Sequence, residues 1–152
     1  MANSTEIVLV RHAETTTITK ARIHGHTDAP LTAKGIQAAQ KTAQALAADS
    51  FSAFYSSSLG RAMHTARIIS QSIGLSPLPV DGLRERNYGW LEVKPLALFE
   101  PDLTGPAFMH PIIKFALYYS GERDDEFPRR VIRTFDGIVE QHRGERILMV
   151  IH

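Results

Sequence analysis

Two short unbroken apolar runs, residues 7–10 and 147–151, are each entered through a charged residue and followed by a histidine within two positions. Such a run reads as a strand buried on both faces, as in a parallel sheet. Residues 53–55 read as a third strand. Residues 78–80 read as a short edge strand, because Pro79 cannot donate to a ladder. Between the strands the apolar period becomes helical. Thr32 is the expected N-cap of a helix with Ile36, Ala39, Ala43 and Leu46 on one face. Ser56, Ser57 and Ser58 are expected to cap a second helix, which runs to about Ile73 and stops at Gly74. A third helix is expected from Asp124 or Asp125 to about His142, with Phe127, Val131, Phe135 and Ile138 aligned and Gly144 ending it. Strands alternating with helices predict an α/β domain, a three-layer sandwich with a mostly parallel central sheet.

Two stretches break this rhythm. Residues 16–31 are polar and irregular, a long loop of the kind that often carries function. Residues 94–120 hold four prolines and several aromatics and read as an insertion of short helices. The 152 residues fit one domain, residues 1–152, and 43% hydrophobic content is enough for a core. A net charge of +1 argues against nucleic acid as a partner. The lack of cysteine excludes disulfides, thiolate metal sites and a cysteine nucleophile. With no run of membrane-spanning length and no basic leader, the expectation is a cytoplasmic protein that leaves membranes alone.

Chemistry is expected where the strands end, because ligands of open α/β sheets bind beyond their carboxyl ends. Arg11 offers a fork of donors suited to phosphate, and His12 a nitrogen that can act as base or nucleophile. Residues 147–151 deliver His152, and the third strand leads to Arg61 in the first turn of a helix. If the strands are parallel neighbours, His12, Arg61 and His152 converge on one edge, where a helix N-terminus also favours an anion. Each residue alone is equally well explained as solvated charge at an element's end. His24 and His26 with Asp28 could be read as metal ligands, but a metal site needs three or four matched ligands, so no metal is expected.

The motifs as an ordered set resemble the histidine phosphatase superfamily, the group that includes cofactor-dependent phosphoglycerate mutase. Leu9-Val10-Arg11-His12-Ala13-Glu14-Thr15 resembles its strand-Arg-His-Gly-Glu-Thr signature. Residues 30–38, Ser56-Ser57-Ser58-Leu59-Gly60-Arg61-Ala62-Met63-His64-Thr65-Ala66, and Leu83-Arg84-Glu85-Arg86-Asn87-Tyr88-Gly89 resemble three further motifs in the family's order. The resemblance implies a phosphoglycerate mutase-like fold. It implies His12 as the nucleophile that becomes a phosphohistidine, Arg11, Arg61 and His152 as ligands of the phosphoryl oxygens, and Glu85 as proton donor to the leaving oxygen. His24, Gly25 and Tyr88 match substrate-contacting places, and Thr17 is a candidate from the same loop.

Three departures accompany the resemblance. Ala13 replaces the usual glycine, and Ile18 stands where a phosphate-contacting asparagine is common. Family members also continue beyond the position of His152. The C-terminal part is therefore expected to be missing here, and this form to have little activity by itself. The first functional expectation is a phosphomonoester hydrolase acting on a small phosphorylated substrate, with no cofactor and with room for a homo-oligomer. A mutase, which would call on 2,3-bisphosphoglycerate, is the alternative; residues 94–120 hold only Lys94 and Lys114 as basic residues, which favours hydrolysis. A non-catalytic phospholigand-binding protein is the third reading.

Overall fold

The computed structural model describes residues 4–17, 20–94, 115 and 119–152. Strands β1 (Glu6–Arg11), β2 (Ala53–Ser57), β3 (Leu78–Val80) and β4 (Arg146–Ile151) form one sheet in the order β1-β4-β2-β3. Every pairing is parallel, so all four strands end at the same edge. Central β4 matches the expectation of a strand buried on both faces: residues 147–150 have no exposed surface. β1 departs from it. Among the described residues it has a neighbour on one side only, and Glu6, Leu9 and Arg11 are exposed.

Helices α1 (Ala33–Leu46) and α2 (Gly60–Ile73) cover one face, and α3 (Glu126–Gln141) covers the other. The alternation of β4 divides the core. Leu148 and Val150 meet Ala43, Ala62, Ala66 and Ile69 on one side, while Ile147 and Met149 meet Ile138, Phe135 and Leu83 on the other. The expected three layers are present. The alanines let α1 and α2 pack closely over Phe54.

Thr32 caps α1 as expected, its hydroxyl accepting the Gly35 N–H at 2.9 Å. Gly74 ends α2 at φ +71, a left-handed turn that favours glycine. The serine run does not cap α2. The N-cap is Leu59, without a side-chain bond, and the N–H groups of Gly60 and Arg61 are taken by the carboxylate of Asp28 from the 16–31 loop. The serines are engaged elsewhere: Ser57 with His152, Ser58 with Asp81 and Arg84. α3 starts at Glu126 with Asp125 as its N-cap residue, in line with the expected start, although the Asp125 carboxylate faces Arg123 and Arg129 and makes no capping bond. The helical insertion expected at 94–120 lies largely outside the described residues. Among the described residues, no helix is long and apolar enough to cross a membrane.

Candidate active site

The parallel register brings two histidines together. Arg11 lies opposite Ile151, and the His12 N–H donates to the Ile151 carbonyl at 2.9 Å. His12 and His152 therefore leave adjacent strands side by side, with ring centroids 5.1 Å apart. His12 Nδ1 lies 2.9 Å from the carbonyl of Ala13. A carbonyl only accepts, so Nδ1 holds the proton and Nε2 presents a lone pair. The Ala13 N–H donates to Thr65 Oγ1 at 3.0 Å, and the Thr65 hydroxyl donates to the Arg61 carbonyl at 2.8 Å. Ala13 is tolerated in place of glycine because, among the described non-glycine residues, positive φ occurs only at Ala21 and Val93.

Arg61 is 1% exposed, at the start of α2. It donates to the carbonyls of Gly25 at 2.9 Å and Thr27 at 3.2 Å and lies 3.5 Å from the Asp28 carboxylate. Its other contact is His152 Nδ1 at 3.1 Å. Arginine only donates, so His152 Nδ1 accepts, and its Nε2 carries a proton towards Ser57 Oγ at 2.7 Å. Arg61 Nε is buried without a hydrogen-bond partner among the described residues, the kind of donor that a bound anion satisfies.

Burial is the largest influence on all three imidazoles nearby. It lowers His12 to about 4; Arg61 and Arg11 push the same way, against the Ala13 bond. His152 falls to about 2, by burial and then by Arg61 and His12. His24 is lowered by burial and by Arg61. At neutral pH the site therefore holds uncharged imidazoles beside a permanently charged guanidinium. That combination suits a nitrogen nucleophile facing an anionic phosphoryl group.

The other expected residues surround this centre unevenly. The His24 ring centroid is 6.1 Å from that of His12, and His24 Nε2 hydrogen-bonds Thr15 Oγ1 at 2.6 Å. Gly25, at φ +55, turns its carbonyl to Arg61. The Glu85 carboxylate accepts the Arg86 N–H at 2.9 Å and acts by charge on His24, Arg61 and Tyr88. Burial, then the charge of Glu85, raises the Tyr88 phenol above its usual value. Arg11 is exposed and acts on His12 through charge. Thr17 contributes its carbonyl to a turn, accepting from Lys20 and Arg22. Ile18 lies outside the described residues.

His24, His26 and Asp28 do not form a metal site. They turn to Thr15, to the Glu85 carbonyl and to the start of α2, and no group of three metal-ligating side chains occurs among the described residues. Sequence reasoning missed Glu92, Glu122 and Arg130, which hold the site together, and gave Asp28 and Thr65 no supporting role. Their partners lie far along the chain, and no local spacing announces them.

The parallel sheet thus delivers two uncharged histidines and a buried arginine to one edge. The chain belongs to the histidine phosphatase superfamily (branch 1), which matches residues 7–152; its members are phosphatases or mutases, and this protein is an enzyme of that group. A probable phosphoglycerate mutase GpmB of Yersinia pestis (strain Pestoides F) is 34% identical over 148 residues, covering 97% of this chain and 69% of the relative. The phosphoglycerate mutase of Bacillus anthracis str. Sterne superposes with a TM-score of 0.85 at 27% identity, over 99% of this chain and 76% of that one. A putative alpha-ribazole-5'-P phosphatase of Escherichia coli str. K-12 substr. MG1655 gives 0.82 at 32% identity, over 99% and 74%.

Proposed function

We propose that this protein is a phosphomonoester hydrolase that works through a phosphohistidine on His12. The observation that carries this reading is the tautomer of His12: Nδ1 is tied to the Ala13 carbonyl, and the ring is uncharged beside Arg61 and His152. Nε2 attacks phosphorus, a nitrogen–phosphorus bond forms, and the ester oxygen leaves with a proton from Glu85. Glu85, now a carboxylate, takes a proton from water as that water attacks phosphorus. The nitrogen–phosphorus bond breaks, inorganic phosphate departs, and His12 is neutral again. Arg61, whose Nε–H is unpartnered among the described residues, and Arg11 stabilise charge on the non-bridging oxygens, and His152 would join them by turning its Nε2–H from Ser57 to the bound phosphoryl group; positioning and electrostatics dominate such transfers. His24, Gly25, Tyr88 and Thr17 are the proposed lining of the substrate side, and the substrate is a small phosphorylated molecule.

Mutase-type transfer is the second reading, favoured by the name of the Yersinia relative. It uses the same phosphohistidine and differs only in the acceptor, a substrate hydroxyl instead of water. The test is a panel of phosphoesters assayed for phosphate release, with 2,3-bisphosphoglycerate added in parallel and the phosphoenzyme trapped. Hydrolysis predicts phosphate release and an acid-labile, base-stable label that His12→Ala abolishes. Label persisting in His12→Ala, or phosphate binding without turnover of any ester, would overturn the reading.

A further inference from the structure

Two loops that share no strand flank the residues that do the chemistry. One, residues 24–28, supplies the carbonyls of Gly25 and Thr27 that hold the Arg61 guanidinium. The other, residues 84–94, carries Glu85 and Tyr88. Their separation decides whether the proton donor stands within reach of the phosphoryl group that Arg61 grips. Among the described residues no named strand runs through either loop, and β3 ends at Val80.

One carboxylate spans both loops. Glu92 Oε1 accepts the N–H of His26 at 2.8 Å and the N–H of Tyr88 at 3.1 Å. Glu92 Oε2 accepts the N–H of Thr27 at 2.7 Å and the Thr27 hydroxyl at 2.5 Å. Four donors on one carboxylate, three of them backbone N–H groups, is the pattern of an anion held at a fixed point. Two surrounding features serve this arrangement. Gly25 lies so close that a Cβ there would strike the Glu92 carboxylate. Val93, the next residue, adopts φ +64, an uncommon conformation for a β-branched side chain. Its N–H donates to Ile23 at 2.9 Å and so ties the chain after Glu92 to the same loop again. The negative charge of Glu92 also favours the charged form of Arg61.

We infer that Glu92 is a positioning residue: by bridging the 24–28 and 84–94 loops it sets the distance between the Arg61 anion grip and the Glu85 proton donor. This rests on the phosphohydrolase reading given above. A carboxylate is needed because all four partners donate. Glutamine would turn an NH2 group towards one pair of donors, and aspartate is one methylene too short to reach both loops. Misplacing reacting groups by about 1 Å can cost about 100-fold in rate.

The experiment compares wild type, Glu92→Gln and Glu92→Asp by two readouts that a merely structural role would leave alone. The first is the Kd for inorganic phosphate by calorimetry, which reports the Arg61 grip. The second is the ratio of kcat/KM for an alkyl phosphate to that for p-nitrophenyl phosphate, which reports proton donation. Folded Glu92→Gln should bind phosphate about 10-fold more weakly and lose several-fold more activity on the alkyl ester. Glu92→Asp should restore neither. Wild-type values for both readouts in folded Glu92→Gln, with only a lower Tm, would overturn the inference, as would full rescue by Glu92→Asp. If Glu92→Gln does not fold, Thr27→Val removes one of the four bonds and should move both readouts in the same direction; no movement overturns the inference. Failure of the wild type to bind phosphate at all would instead overturn the phosphohydrolase reading.

Discussion

The imidazoles of His12 and His152 leave adjacent parallel strands and stand 5.1 Å apart, both uncharged at neutral pH. This pairing has a thermodynamic consequence. In the unfolded chain each histidine titrates near 6.5, whereas in the folded protein they titrate near 4 and 2. Between those values the unfolded chain binds protons that the folded protein refuses. Stability is therefore intact above about pH 6.5 and falls as pH drops towards 4, by at most about 1.4 kcal/mol per pH unit for each histidine. His24 adds to the same trend. Bound phosphate opposes it, because its negative charge favours the imidazolium. Melting temperatures should fall from about pH 7 to about pH 5, less steeply with phosphate present and less steeply in His12→Asn. A flat profile for the wild type would show that these rings do not enter the fold uncharged.

Arg61→Lys is expected to fold and to fail at its task. Arginine reaches the Thr27 carbonyl with Nη1, and the Gly25 carbonyl and His152 with Nη2, from one rigid plane. An ammonium is a single point of charge and cannot reproduce that fork. Losing one preorganised donor to a transferring group typically costs about 100-fold or more in kcat. We expect a loss of at least that size, with weaker competition by inorganic phosphate. Activity within about threefold of wild type would show that charge alone suffices at this position.

Arg130 should matter to Glu85 without touching the substrate. Its guanidinium donates to the carbonyls of Gly82 at 3.0 Å, Arg84 at 3.1 Å and Glu85 at 3.2 Å, and it grips the Glu122 carboxylate at 2.6 and 2.7 Å. His26 Nε2 donates to the same Glu85 carbonyl at 2.8 Å. Arg130→Met would leave the Glu122 carboxylate without this cation and the Gly82 and Arg84 carbonyls without this donor, while His26 still serves the Glu85 carbonyl, at a cost of about 2–4 kcal/mol. Chemical denaturation measures that cost. The loss of activity should be greater for alkyl phosphates than for p-nitrophenyl phosphate, because proton donation is what slackens. Equal loss on both would disconnect Arg130 from Glu85.

The contrast between Arg61 and Arg130 shows what the sequence made legible. Arg61 was found because it stands in an ordered motif at the start of a helix, and the layer order followed from two apolar runs with helices between them. Glu92, Glu122 and Arg130 went unnoticed because each looks like ordinary charge on a polar stretch. Their roles depend on contacts with distant segments, such as Glu92 with His26 across 66 positions and Glu122 with Arg86 across 36. The serine run misled for a related reason. Serines before a helix are good caps by local propensity, yet tertiary partners, His152 and Asp81, took them. The exposed face of β1 was equally invisible, since an apolar run does not say which strands will flank it.

The helix cap that replaced those serines yields the last prediction. Asp28 accepts the N–H of Gly60 and, at 3.0 Å, that of Arg61, and its carboxylate lies 3.5 Å from the Arg61 guanidinium. It thus satisfies the start of α2 and steadies the side chain that α2 presents to the phosphoryl group. Two substitutions separate these contributions. Asp28→Asn keeps an acceptor oxygen for the helix and removes the charge. Its cost should stay below about 1 kcal/mol, the size of a charge at a helix N-terminus, because Asp28 is partly exposed. Asp28→Ala removes the acceptor as well and should cost about 1–2 kcal/mol, the usual range for a lost cap. Phosphate affinity should follow geometry more than charge. The asparagine variant also removes a negative charge near the anion, so its affinity should remain within about threefold of wild type. The alanine variant frees both the helix end and the guanidinium, so its affinity should fall about tenfold. Thermal melts and phosphate titration of the two proteins decide the matter. An asparagine variant as impaired as the alanine variant would show that Asp28 supports Arg61 through charge, and that the cap is incidental to binding.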